Sequence, residues 1–314
     1  MGLKIDIFAH IMTKQYFETY ARKNPKILPN IEARTRSLND LDVRFRLMDR
    51  YPDVLQVLTI ARIPLEQYVS PADAVELAKI ANEELAELCE IYPDRFAAGV
   101  ACLPMNDIDA SLEEIDRAIA KLGLKGIQLY TRIAGDTLDN PKFKPIWQKM
   151  SQYDLPIWIH PTHNEKLDQD IGVFSWPFET SAAMFKLVMS GVFNEYPNLK
   201  FITHHCGAMA PFFEKRIKWV LSLVPQLYPS IKHPEEHFRK FYVDTAVYGN
   251  TSALMCGYDF YGPDHILYGT DAPLGPKFGL TGETLESVYR MPIPDEEKEK
   301  IVFGNAAEML NIAH

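Results

Sequence analysis

Eight short apolar stretches punctuate the chain, at residues 3–9, 54–61, 96–103, 126–131, 156–160, 199–205, 241–247 and 266–271. Most are apolar almost throughout rather than alternating. Strands covered on both faces of a parallel sheet read this way, whereas half-buried strands alternate. Helical periodicity fills the intervals. Residues 71–92 open with Pro71 and set apolar positions at helical spacing against an acidic face. Residues 107–122 begin with an acid-rich turn and stop at Gly123. Similar patterns lie at 141–153, 177–195, 211–223, 250–260 and 294–310. Strand followed by helix, repeated eight times, predicts one α/β domain over residues 1–314, a (β/α)8 TIM barrel with an outer ring of helices. An open, doubly wound sheet is the other arrangement. It is disfavoured because no GxGxxG follows the first strand. Two long stretches break the rhythm, at about 12–39 and 162–176. Both follow strand ends, where loops of a barrel build the active site. Residues 223–240 form a third excursion.

Composition narrows the function classes. With 33 Lys and Arg against 42 Asp and Glu, the formal net charge is −9, which argues against a nucleic-acid or anionic-membrane partner. A small carboxylate substrate is compatible, provided the site supplies its own positive charge. Cys89, Cys102, Cys206 and Cys256 form no CxxC pair and suit a reducing, cytoplasmic setting. No apolar run is long enough for a membrane span, and Asp6 interrupts the place where a signal peptide would be apolar.

The candidate chemistry collects at strand ends. His10 follows the first apolar stretch, His160 ends the fifth, and His204 and His205 end the sixth. Asp244 lies in the seventh, and Asp271 ends the eighth. In a parallel barrel these positions open on one face. Imidazoles with a carboxylate suit Zn²⁺ or another first-row divalent ion. Asp244 is placed to orient a ligand histidine.

The start Lys4-Ile5-Asp6-Ile7-Phe8-Ala9-His10 resembles the Ile-Asp-x-His-x-His motif of the amidohydrolase superfamily. Leu103-Pro104-Met105, Gly126-Ile127-Gln128, His160-Pro161, Gly191-Val192-Phe193 and Tyr196-Pro197 resemble its aminocarboxymuconate-semialdehyde decarboxylase-like branch. So do His205-Cys206-Gly207 with Pro211 and Arg216, Gly269-Thr270-Asp271-Ala272-Pro273, and Gly304-Asn305-Ala306. The resemblance runs nearly end to end. It implies a metal-dependent barrel, usually a homodimer, that performs non-oxidative decarboxylation or hydrolysis. It implies His10, His160 and Asp271 as metal ligands and His205, with Asp271, as catalytic. Gly207 and Pro211 set that register, and His204 is then expected to point away in a structural role. Arg216 matches an arginine that in relatives reaches a neighbouring subunit's site and holds a substrate carboxylate. Trp176 falls where relatives place an aromatic over the substrate.

One departure matters. Phe8 stands where the family has a ligating His, or in some decarboxylases a Glu. Three protein ligands plus water still suffice for a catalytic zinc site, and an aromatic at position 8 is expected to line a pocket for a flat substrate. Zinc is the expected ion, with manganese, iron and cobalt suited to the same donors. Arg34, Arg36 and His163 are weaker candidates for the site. Three functions follow: a carboxy-lyase acting on a small unsaturated or aromatic carboxylate, a hydrolase of a lactone or amide, or a metal-free relative that binds a ligand or works by acid–base chemistry alone.

Overall fold

The structure is a computed structural model that describes residues 2–24, 36–61, 64–162, 172–229 and 231–312. Eight parallel strands form the centre: β1 (Lys4–Ile11), β2 (Val54–Ile60), β3 (Phe96–Gly99), β4 (Ile127–Tyr130), β5 (Ile157–His160), β6 (Phe201–Thr203), β7 (Tyr242–Asp244) and β8 (Ile266–Leu267). They pair in sequence order, β1 to β3 and β4 to β8. Two seams complete the ring. Between β3 and β4, Gln128 N–H donates to the Ala101 carbonyl at 2.9 Å. Between β8 and β1, Ile7 N–H donates to Tyr268 O at 2.8 Å and His10 N–H to Ala272 O at 2.6 Å. The chain is therefore the expected (β/α)8 barrel.

The apolar runs are strands because both of their faces are covered. Every residue of β1 is buried. Ile5, Ile7, Val57, Ala98, Trp158, Ile202 and Leu267 form an inner core with Ala306, Ala307 and Leu310 of the C-terminal helix (Asn305–Leu310). Trp158 sits wholly inside, its indole N–H donating to Ile7 O at 2.9 Å. A larger core lies between the strands and the surrounding helices. The helix Pro71–Ile91 shows how the outer layer is specified. Ser70 caps it through Asp73 N–H, Pro71 starts it, and Ala74, Leu77, Ala78, Ala81 and Leu85 make its buried stripe.

Among the helices that the hydrophobic pattern does not predict, two are long. Lys14–Lys23 occupies part of the excursion expected at 12–39, burying Tyr16, Phe17 and Tyr20. Pro276–Tyr289 follows β8. Gly282 weakens its helical signal, yet sits against Tyr51, where an added Cβ would lie 3.0 Å from the hydroxyl. The helix expected at 177–195 begins earlier, at Ser175, and ends at Ser190, because Gly191 adopts φ 78°. Arg34 and His163 lie outside the described residues. No described helix is long and apolar enough to cross a membrane.

Candidate metal centre and active site

The strand ends bring the predicted groups together. The imidazole centroids of His10, His160 and His204 stand 5.1 to 5.9 Å apart. One donor nitrogen from each lies within 4.8 Å of the other two. Asp271 joins them: its Oδ1 is 3.1 Å from His10 Nε2 and 3.3 Å from His204 Nε2.

Local structure fixes each ring. Thr59 Oγ1 donates to the Ala9 carbonyl and stands 2.8 Å from His10 Nδ1. That leaves Thr59 to accept from Nδ1–H and turns the Nε2 lone pair inward. His160 Nδ1 lies 2.8 Å from the Pro161 carbonyl. A carbonyl only accepts, so the proton is on Nδ1 and Nε2 is again bare. His204 Nδ1 donates to Asp244 Oδ2. Asp244 Oδ1 also accepts from the backbone N–H groups of Cys206 (3.2 Å) and Ala246 (3.0 Å), which anchors the carboxylate. Asp271 Oδ2 accepts from the Tyr248 hydroxyl at 3.1 Å. Behind these groups, Asp6 accepts from Thr270 N–H (2.9 Å), Thr270 Oγ1–H (2.5 Å) and Phe8 N–H (3.3 Å). It clamps β1 to the turn that carries Asp271. A β-bulge between Asp6 and Ala9 re-aims the strand just there.

Charge follows this geometry. Burial, together with the neighbouring His10 and His204, holds His160 well below the usual histidine range. Burial would also lower His204, but the Asp244 and Asp271 carboxylates override it and lift the imidazole to about 10. For Asp271, burial is outweighed by the adjacent His10 and His204 imidazoles, which keep the carboxyl well below its ordinary value. Burial and the adjacent His204 push His205 down to about 4. Its Nδ1 is buried with no hydrogen-bond partner among the described residues, and a nitrogen of its ring lies within 4.8 Å of His204 and Asp271 donors. His205, Cys206 and Ala208 all have φ near +55°, with Gly207 at +70°. This strained turn, which follows β6, allows adjacent histidines both to face the cluster.

The donor set fits a divalent cation. For metal–ligand bonds of about 2.0–2.1 Å, tetrahedral donors stand about 3.3 Å apart. The two Asp271 separations match that spacing, and each imidazole has a polar partner on its second nitrogen, as ligating histidines require.

Two expectations need correcting. His204 does not point away; it lies inside the cluster. Phe8 does not line an open pocket. Its ring is wholly buried and stacks on His204, centroids 4.2 Å apart and planes 13° apart. Arg216 stands exposed on the outer helix Glu214–Ser222, forming no ion pair among the described residues. Arg36 is also exposed and pairs with Asp40. Trp176 is close, its ring 6.4 Å from that of His160. Asp244 orients a histidine as expected, and that histidine is His204. Thr59 and Tyr248 escaped notice because neither carries a motif; their roles exist only through contacts made 49 and 23 residues away in sequence.

The amidohydrolase family model matches residues 5–312. The chain belongs to the amidohydrolase family. Within it, the chain is 31% identical over 282 residues to 2-amino-3-carboxymuconate-6-semialdehyde decarboxylase of Dictyostelium discoideum, covering 87% of this chain and 77% of that one. It is 29% identical over 306 residues, 90% of each chain, to gamma-resorcylate decarboxylase of Rhodococcus jostii. Among solved family structures, dihydroxybenzoic acid decarboxylase from Polaromonas sp., with bound manganese and the inhibitor 2-nitroresorcinol, superposes with a TM-score of 0.81. The two are 25% identical, over 99% of this chain and 98% of that one.

Proposed function

We propose that residues 1–314 act as one barrel domain and catalyse metal-dependent, non-oxidative decarboxylation of a small aromatic or conjugated carboxylate. The observation that carries this reading is the convergence of imidazole Nε2 atoms and the Asp271 carboxylate, each already oriented by a partner behind it. Relatives that decarboxylate aminocarboxymuconate semialdehyde and gamma-resorcylate support the substrate class. His10, His160 and Asp271 would hold the ion. Zinc suits these donors, as do iron, cobalt and manganese, the last being the ion of the Polaromonas relative. When bound, it supplies positive charge to substrate oxygens and lowers the pKa of water.

His205 handles the proton. Its imidazole is held neutral by burial, and an incoming carboxylate favours the protonated form. Donation from Nδ1 to the carbon bearing the carboxylate makes that carbon tetrahedral. The C–C bond then breaks, its electron pair restores the conjugated system, and CO₂ leaves. Solvent returns the proton to His205, so one proton enters the product for each CO₂ released. Trp176 packs along the flat substrate. The neutral state of His205 also suits a general base, which favours a second reading, hydrolysis of a lactone or amide. Product analysis separates the two: CO₂ with a one-carbon-shorter product, or a ring-opened acid. Incubation with 2,6-dihydroxybenzoate, salicylate-type acids and conjugated semialdehyde acids, with CO₂ measured, tests the main reading. Failure of all three classes to release CO₂ refutes it. A protein purified without chelator that holds no metal yet turns over substrate supports the metal-free reading.

Assembly belongs to the same proposal. Phe212 (78% exposed), Trp219 (60%), Leu223 and Leu227 are large apolar side chains left in water on and beside the helix that carries Arg216. Such a patch is unusual for a monomer. A second copy covering it would form a homodimer and present Arg216 to a neighbour's carboxylate. Four free cysteines and the acidic net charge suit a cytoplasmic enzyme without nucleic-acid or membrane partners.

A further inference from the structure

Position 8 on β1 has surrendered its donor, and the barrel offers a replacement from the opposite wall. We propose that His204 is a direct ligand of the metal, occupying the coordination position that Phe8 cannot fill. This rests on the metal-dependent reading above and goes beyond its three-ligand set of His10, His160 and Asp271.

The Nε2 atom of His204 lies 3.3 Å from Asp271 Oδ1, and a nitrogen of its ring lies within 4.8 Å of donors of His10 and His160. Its other nitrogen is held by Asp244, the carboxylate–histidine arrangement found behind ligating imidazoles. The Phe8 ring supplies the remaining constraint. Stacked 4.2 Å from the imidazole and nearly parallel to it, it fixes the plane in which Nε2 reaches the centre. Phe8 and His204 thus form a matched pair: the aromatic that removes one donor positions another. Electrostatics alone offers His204 a second role, that of an imidazolium bridging Asp244 and Asp271. That role requires a proton on Nε2, where ligation requires a lone pair, so the two are mutually exclusive.

The test uses Mn²⁺ on the full-length, metal-stripped protein. Binding is followed by EPR, and coordinated imidazole nitrogens are counted by pulsed EPR after ¹⁵N-histidine labelling. Wild type is expected to bind one ion with three imidazoles. Changes behind a ligand typically cost about 10–100-fold in affinity, so His204→Gln, which removes a ligand outright, should lose at least about 100-fold and one nitrogen. Adding Phe8→His to that variant should restore most of the affinity, while His205→Gln should leave the count at three. Wild type with only two coordinated imidazoles, or His204→Gln with wild-type affinity and an unchanged count, overturns the proposal and leaves the metal-dependent reading intact. Wild type that binds no Mn²⁺, Zn²⁺ or Co²⁺ overturns both. The nitrogen counts of wild type and His205→Gln together decide the question even if His204→Gln fails to fold.

Discussion

His205 and Glu66 illustrate what burial does to single titratable groups. His205 is held neutral with an unpartnered Nδ1. General acid–base histidines contribute about 10²–10⁴-fold. His205→Ala should therefore lower kcat at least about 100-fold while the melting temperature and metal content stay near wild type; wild-type turnover would remove it from the mechanism. Glu66 keeps part of its surface in water, but its Oε1 is buried without a partner among the described residues, and burial pushes the carboxyl up to about 7. Its native pKa is raised, so the folded state retains a proton that the unfolded chain releases above its ordinary value of 4.5. Stability should decline as pH rises from about 4.5 and level off above 7, by no more than about 3–4 kcal/mol at about 1.36 kcal/mol per pH unit. Glu66→Gln should be more stable than wild type at pH 8 and indistinguishable at pH 4. Equal melting temperatures at pH 8 would contradict this.

Elements meet through a few buried polar links, of which Arg44 is the clearest. It lies on the helix Leu41–Met48, wholly buried. Its Nε and an Nη donate to Gln56 Oε1 of β2 at 3.1 and 2.7 Å, and its other Nη donates to the His10 carbonyl of β1 at 2.7 Å. Burial lowers its pKa to about 9, with Asp6 opposing. Arg44→Met keeps the volume but strands both acceptors. At about 1–3 kcal/mol for each unsatisfied group, chemical denaturation should show a loss of about 3–5 kcal/mol, together with weaker metal binding because the backbone at His10 loosens. The turn after β6 works by shape. Gly207 sits at φ 70°, and a Cβ there would fall 2.1 Å from the Tyr261 hydroxyl, so only glycine carries the chain past that ring and leaves both His204 and His205 facing the centre.

At the scale of the whole molecule, the proposed metal and the proposed dimer would each add to stability. Ligand present at 100 times its Kd adds about 2.7 kcal/mol. Chelation should accordingly lower Tm by several degrees, and Mn²⁺ or Zn²⁺ should restore it; a Tm indifferent to EDTA would argue against a bound ion. The exposed patch makes a separate prediction. Trp219→Glu should shift sedimentation from dimer to monomer, with lost turnover if Arg216 serves the neighbouring site. A wild-type monomer at micromolar concentration would dispose of the dimer.

The sequence by itself determined the barrel. Eight runs too apolar to have a wet face, separated by amphipathic helices, have few other ways to bury their surface. It also determined which strand ends hold imidazoles and carboxylates, because those residues stand out against apolar neighbours. The helix Pro276–Tyr289 was hidden, since Gly282 lowers helix propensity and only its packing against Tyr51 accounts for it. The side-chain directions at the site were decided by tertiary structure alone. Adjacent residues on an ideal strand point to opposite faces, so His204 and His205 look like alternatives in the sequence; a left-handed turn, held by the buried Asp244, sends both inward. Phe8 likewise reads as a missing ligand or a pocket wall, and becomes a stacking platform only when strands β1 and β6, nearly two hundred residues apart, are brought face to face across the barrel.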